Sequence, residues 1–217
     1  HAGTSGLARI LLFGGSFNPI HHGHLIVCRF AAEALGADRV ILIPGATPPH
    51  KQHAALAPAP DRVELCRLAV RDDPLFEVSD WETRQAGPNY TLHTVRHFRD
   101  TQPRGTKLYW LIGMDSLAEL PTWYRVGELV SLCTLVTAGR PGSKRPDCSK
   151  LKDHMSPEQL HELEKHILET PLIDISASDI RARVRAGLSI RYLVPEAVRV
   201  TIESRGLYRS GHSAQTR

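Results

Sequence analysis

The stretch Gly14-Gly-Ser-Phe-Asn-Pro-Ile-His-His-Gly-His24 leaves this chain few ways to fold. Before it runs Arg9-Ile-Leu-Leu-Phe13, a short apolar segment bounded by glycine, which reads as a buried strand. After it runs Leu25 to Leu35, where Leu25, Cys28, Ala32 and Leu35 recur at near-helical spacing and Gly36 suits a helix stop. The stretch is therefore a strand-to-helix turn. In a parallel α/β sheet ligands bind at such turns, at the carboxyl ends of the strands.

Its residue types suit an anion. Gly14 and Gly15 let the main chain come close to a phosphate. The N–H groups opening the following helix point at that anion, and the helix dipole favours negative charge there. His21 and His24 are three residues apart, so both can face one side. Two imidazoles there can donate hydrogen bonds to phosphate oxygens and take up charge as negative charge develops.

The stretch resembles the nucleotidylyltransferase superfamily, whose signature is a glycine-rich strand end followed by (His/Thr)-x-Gly-His. The longer match, Gly14 to Leu25, is similar to the nicotinate mononucleotide adenylyltransferase family. The resemblance runs from Ile10 to about Tyr208. It implies a Rossmann-like α/β fold, a doubly wound parallel sheet with helices on both faces and a small C-terminal helical portion. It also implies adenylyl transfer from ATP to nicotinate mononucleotide in NAD biosynthesis. Mg²⁺ would accompany ATP, with no dedicated protein metal site.

The bulk properties agree with such a chain. Its 217 residues allow one domain, expected over residues 7–209. Residues 1–6 are expected to be a remnant or disordered, and residues 210–217 a frayed tail. No apolar run of roughly 18 residues that would span a membrane occurs in this sequence, and no secretory signal is expected. The formal charge of +4 comes from scattered basic residues, which argues against a nucleic-acid partner. Cys28, Cys66, Cys133 and Cys148 are too far apart for a zinc site or a disulfide framework, so a cytoplasmic location is expected. A homo-oligomer is compatible with all of this.

Down the chain, Arg39 to Pro44 reads as the strand closing a βαβ unit. Next comes the loop Pro48-Pro-His-Lys51, which in the resembled family borders the substrates; Lys51 is thereby expected to serve both of them. Asp61 reads as the cap of a helix, with Arg62 as a surface charge. Leu75 to Ser79 is a third strand candidate.

The segment Asp80 to Thr91 is polar and runs into a helix with Leu92, Val95 and Phe98 on its apolar face. Thr91 or Asn89 is expected to cap it, and the N–H groups at its start would suit a carboxylate. His93 and His97 stand four apart, but the His-Glu-x-x-His pattern is absent, so both read as surface histidines. The resemblance puts Tyr90 and Thr91 near the pyridine end of the mononucleotide.

Lys107 to Asp115 is a strand ending in Gly113-Met-Asp115. Asp115 there can bind ribose hydroxyls or a metal-linked phosphate, or can cap the next helix, Ser116 to Leu120. Trp123 offers a flat face for the pyridine ring by resemblance, and core packing otherwise. Leu132 to Ala138 is a fifth strand, leading to a basic loop in which Arg140 can reach a phosphate or lie in solvent. Ser156 to Glu169 reads as one helix.

Last, Leu172 to Ile175 reads as a strand turning into a helix at Ser176 or Ser178, with Arg181 in its first turn, a second anion site. It resembles the superfamily's Ile-Ser-(Ser/Ala)-(Ser/Thr)-x-Ile-Arg motif, which grips ATP phosphates. Ala177 stands where Ser is frequent, which removes one hydroxyl. Tyr192-Leu-Val-Pro195 and a helix from Glu196 to Arg205 read as packing.

By resemblance the catalytic set is His21, His24, Lys51 and Arg181. Gly14, Gly15, Ser16, Phe17, Gly113, Asp115, Ile175, Ser176 and Ser178 join the histidines and Arg181 around ATP. The mononucleotide set is Gly15, Ser16, Lys51, Tyr90, Thr91, Trp123 and Arg140. Three rivals share motifs with this reading. Pantetheine-phosphate adenylyltransferases and cytidylyltransferases lack the Gly-Pro-Asn-Tyr-Thr and Pro-Thr-Trp-Tyr elements. Class I aminoacyl-tRNA synthetases need a Lys-Met-Ser-Lys-Ser-like loop that this chain lacks. A nicotinamide-preferring enzyme stays open, and so does a catalytically silent nucleotide-binding module, although the candidate catalytic residues are all present.

Overall fold

A computed structural model describes residues 7–46, 56–139, 142 and 146–209. His50, Lys51, Arg140 and the two chain ends lie outside the described residues. Six strands form one sheet: β1 (Arg9–Gly15), β2 (Arg39–Pro44), β3 (Phe76–Val78), β4 (Lys107–Gly113), β5 (Thr134–Gly139) and β6 (Ile167–Glu169), in the order β3-β2-β1-β4-β5-β6. β1 pairs in parallel with β4, β4 with β5, and β5 with β6. Strand order reverses beside β1, whose neighbours are β2 and β4. In open parallel sheets the crevice at such a reversal is where ligands sit, and the turn of interest leaves β1 at that end.

Sequence explains most of these elements directly. Ile10, Leu11 and Leu12 of β1 are fully buried, as an unbroken apolar run on a central strand should be. Helix α1 (His22–Leu35) buries Cys28, Ala31, Ala32 and Leu35. It stops at Gly36, whose φ of +61° and the Ala37 N–H bond to the Ala32 carbonyl make the usual glycine C-terminal closure. α2 (Ala59–Val70), α3 (Thr91–Thr101), α4 (Met114–Glu119), α5 (Val126–Leu132), α6 (Pro157–Lys165), α7 (Ala177–Arg185) and α8 (Glu196–Arg205) complete the chain.

Several local expectations are corrected. Asp61 does not cap α2; Pro58 holds that position, and Asp61 lies in the first turn, bonded at 2.8 Å to Arg205 of α8. Neither Thr91 nor Asn89 caps α3; Tyr90 occupies the cap position without a side-chain bond. Asp115 lies inside α4, which starts at Met114 with Gly113 at its cap. Leu132 ends α5 rather than starting β5. The Ser156–Glu169 helix ends at Lys165: Ser156 and Gln159 form a reciprocal capping box at its start, and Ile167 to Glu169 become strand β6 against β5. Leu172 to Ile175 make no strand and lead into α7. Arg62, read as a surface charge, is fully buried.

The chain divides into two compact units whose boundaries cut through β1, α1 and β2. The first comprises His1–Gly14, Val27–Ile41 and Asn89–Leu172. It buries Leu108, Leu111, Leu129, Leu135 and Val136 around β4 and β5, and Arg96 of α3 pairs with Glu128 of α5. The second comprises Gly15–Ile26, Leu42–Pro88 and Ile173–Arg217. There Leu65, Cys66, Val198 and Ile202 pack α2 with α8, and Ile20 and Ile180 are also buried. The four cysteines are free and buried. Among the described residues no helix is long and apolar enough to cross a membrane.

Candidate active site

The second unit gathers the histidine turn and the Arg181 helix. The turn is fixed from several sides through its backbone. The Gly15 carbonyl accepts from Gly45 N–H at 2.9 Å, and the Asn18 side-chain oxygen accepts from Ala57 N–H at 3.0 Å. His22 N–H donates to the Leu193 carbonyl at 3.1 Å, so the Tyr-Leu-Val-Pro element anchors the start of α1. Val194 is buried as expected of a packing element, whereas Tyr192 is exposed. Phe17 adopts φ +46° with its ring buried. A Cβ on Gly15 would meet only that ring, at an ordinary 3.6 Å. The protein interior does not forbid a side chain at Gly15, which leaves close approach of a ligand as the physical use of this glycine.

The two histidine rings stack, with centroids 3.7 Å apart and planes 25° from parallel. Phe17 meets His24 edge-on at 5.1 Å. The backbone N–H of His21 donates to His24 Nδ1 at 3.1 Å. In the neutral ring this bond makes Nδ1 the acceptor and puts the proton on Nε2. His24 thus carries a donor of fixed orientation. His21 Nδ1 is buried with no partner among the described residues. Burial holds both rings well below the usual histidine range: His21 at about 4, with the neighbouring His22 adding to the effect, and His24 at about 3, with His21 adding. At pH 7 the free site presents neutral imidazoles.

Gly23 explains the spacing of the motif. A Cβ there would stand 2.8 Å from Cε1 and 2.9 Å from Nδ1 of His21. That ring is held by its stack on His24 and cannot swing away freely. We predict that Gly23→Ala displaces the ring and lowers turnover roughly tenfold, with an overpacking cost of ~1–3 kcal/mol. Steady-state rates and a thermal melt on the same variant check this; a wild-type rate would show that the ring position is not constrained.

Arg181 joins the two anion elements. Its Nη1 donates to the Asn18 carbonyl at 2.8 Å, in the middle of the histidine turn. Its Nη2 reaches Ser178 Oγ at 3.4 Å. Ser176 accepts the N–H of Asp179 at 3.1 Å and is the cap of α7, so its oxygen serves the helix first. α7 starts at Ala177, so Arg181 is its fifth residue and opens the second turn rather than lying in the first. Ile175 and Ser176 are half-buried and Ser178 is exposed.

The remaining described candidates belong to the first unit. Gly113 caps α4 at the carboxyl end of β4, and a Cβ there would meet nothing within 4 Å; Asp115 is exposed beside it. Tyr90 stacks on Tyr124, centroids 4.4 Å apart, and His93 stands edge-on to both rings. His93 is therefore exposed, as expected, yet belongs to an aromatic cluster. Trp123 is half-buried, and its N–H closes the turn on Leu120. Because Tyr90 caps nothing with its side chain, the N–H groups of Thr91 and Leu92 remain at the start of α3. Among the described residues no group of three or more His, Cys, Asp or Glu could hold a metal. Sequence reasoning missed Tyr124 and Arg62. The first is signalled only by its place beside Trp123, and the second by nothing local.

A parallel sheet reversing beside β1, with a phosphate-type turn of two stacked histidines and an arginine tied to it, defines a nucleotidyl-transferring class of site. The family model described as Cytidylyltransferase-like matches residues 12–183. A "Probable nicotinate-nucleotide adenylyltransferase" of Dehalococcoides mccartyi is 39% identical over 197 residues, 91% of this chain and 95% of that protein. One of the same name from Syntrophotalea carbinolica is 41% identical over 211 residues, covering 92% and 96%. The fold matches that of Plasmodium falciparum nicotinic acid mononucleotide adenylyltransferase complexed with NaAD, at a TM-score of 0.71 and 17% identity, over 93% of this chain and 97% of that one. The chain belongs to the nicotinate-nucleotide adenylyltransferases of the cytidylyltransferase-like family.

Proposed function

We propose that the protein transfers an adenylyl group from ATP to nicotinate mononucleotide, giving nicotinate adenine dinucleotide and pyrophosphate. The observation that carries this reading is the bond from Arg181 to Asn18, which brings the second anion element onto the histidine turn. The extent of similarity to the named relatives supports the choice of substrates.

An oxygen of the mononucleotide phosphate attacks the α-phosphorus of ATP. The bond from that phosphorus to the bridging oxygen breaks, and its electron pair leaves with pyrophosphate. The nucleophile is already ionised at pH 7, so no general base is required. The work is alignment of two anions and stabilisation of charge on the transferring phosphate and the leaving group. His24 donates from Nε2 to a non-bridging oxygen of the α-phosphate, and His21 flanks it. Arg181 binds the triphosphate with a permanent charge. Thr91 and Leu92 offer their N–H groups to the carboxylate of the pyridine ring, and Trp123 offers its face.

Mg²⁺ would supply Lewis-acid neutralisation of the triphosphate. Among the described residues no group of three or more His, Cys, Asp or Glu stands ready to hold it, and it would be held mainly by the nucleotide and water.

The test is pyrophosphate release with ATP and Mg²⁺, using nicotinate mononucleotide and nicotinamide mononucleotide side by side. Rapid release with the acid alone is expected. Equal rates would remove the carboxylate assignment at α3, and no release with either would remove the reaction.

A further inference from the structure

Arg62 is a charged side chain in an unusual place. It sits on α2 with no exposed surface. Its Nε donates to the Ala57 carbonyl at 2.9 Å, and its Nη1 donates to the carbonyls of Ser16 and Gly45, both at 2.7 Å. Its Nη2 is buried without a partner among the described residues. The groups that interact with it electrostatically are Tyr208 and Cys66, both neutral at pH 7, and burial pulls its guanidinium below the usual arginine range. The residues outside the described set include no Asp or Glu. A buried cation with no ion pair among the described residues is costly, and its bonds to three carbonyls offset only part of that cost.

The bonding pattern shows what the cost is set against. Ser16 belongs to the histidine turn, Gly45 follows β2 and Ala57 precedes α2. One guanidinium ties these three segments. In a planar trans peptide the C=O and the next N–H point in opposite directions. Drawing the Ser16 and Gly45 carbonyls inward therefore turns the Phe17 and Ala46 N–H groups away from Arg62. We infer that Arg62 is a positioning residue for phosphate binding: it sets the backbone of the histidine turn and holds an uncompensated positive charge behind it, for which the bound nucleotide's phosphates are the counter-charge. The identity of that anion as ATP rests on the adenylyl-transfer reading.

The test compares wild type, Arg62→Lys and Arg62→Gln in thermal unfolding with and without ATP or inorganic pyrophosphate, and in steady-state kinetics. In Arg62→Gln the anion-induced rise in Tm falls by more than half, and KM for ATP rises roughly tenfold, the scale of one charge-assisted interaction. Arg62→Lys keeps most of the Tm rise because it keeps the charge, while losing the fork to three carbonyls. A purely structural clamp would lower the Tm of the ligand-free variant and leave the anion-induced rise intact, and that result overturns the inference. Amide exchange on the wild type decides the matter should the variants not fold. ATP slows exchange over residues 57–62, which make no ATP contact in this mechanism, and unchanged exchange there overturns the inference too. Anion stabilisation that depends on Arg62, in a protein that releases no pyrophosphate, would remove the reaction and leave this inference standing.

Discussion

Replacing His24 by alanine lowers turnover by roughly 10²–10³-fold, the scale of removing one preorganised donor from a developing oxyanion. The expectation rests on orientation rather than on basicity. The bond from His21 N–H to His24 Nδ1 puts the proton of the ring on Nε2, and the stack on His21 with the edge of Phe17 holds the ring in place. A donor held this way needs no reorganisation as charge builds on the transferring phosphate. Stability suffers little, because the ring is half-buried and its loss frees one backbone N–H, at about 1 kcal/mol. Two further variants separate donor from anchor. Asparagine at 24 offers an acceptor where Nδ1 stood but no donor at the Nε2 position, so His24→Asn melts near wild type and turns over as poorly as alanine. Glutamine carries an amide N–H near Nε2, so His24→Gln recovers part of the rate. Steady-state pyrophosphate release with a melt on each protein reads both effects. An alanine variant within a few-fold of wild type would remove His24 from the chemistry.

The histidine turn was legible because its information is local. A run of buried isoleucine and leucine residues, three glycines and three histidines at fixed spacing lie within one stretch, and the strand-to-helix turn follows from them. β2 and β4 were legible for the same reason, each being an apolar run flanked by breakers. Errors arose where the deciding partner is distant. Ile167 fits the apolar stripe of α6 as well as any helical residue, and only pairing with β5 makes it a strand. Leu172 to Ile175 read as a strand on side-chain type but pair with no strand among the described residues. Asp61 and Thr91 are good cap residues displaced from the cap position by Pro58 and Tyr90. Arg62 is the clearest case. Its neighbours in sequence describe an ordinary helix, and the three carbonyls that bury it come from segments up to 46 residues away. No pattern in a linear reading brings those carbonyls together. Among the site residues, the link between Arg181 and Asn18 spans 163 positions, so sequence could name both motifs while leaving their meeting to the fold.

Acid should unfold this protein partly through the two stacked imidazoles of His21 and His24. Burial holds them at about 4 and about 3 in the folded chain, against an unfolded value near 6.5. The direction follows from proton counting. Above pH 7 both rings are neutral in either state and contribute no pH dependence. Below about 6.5 the unfolded chain takes up protons that the folded chain refuses, so stability falls as pH falls. The loss continues until the folded rings titrate, at about 4 and then about 3. Between those limits each histidine steepens the decline by up to about 1.4 kcal/mol per pH unit. Denaturant unfolding of wild type and His24→Asn at a series of pH values from 7.5 to 4 isolates one ring's share. The gap between the two proteins shifts in the variant's favour as pH falls, since asparagine has no proton to refuse. A gap independent of pH would mean that His24 titrates normally in the folded chain. Its neutral donor role at pH 6 would then be wrong, because an imidazolium there would carry its charge before any substrate arrived.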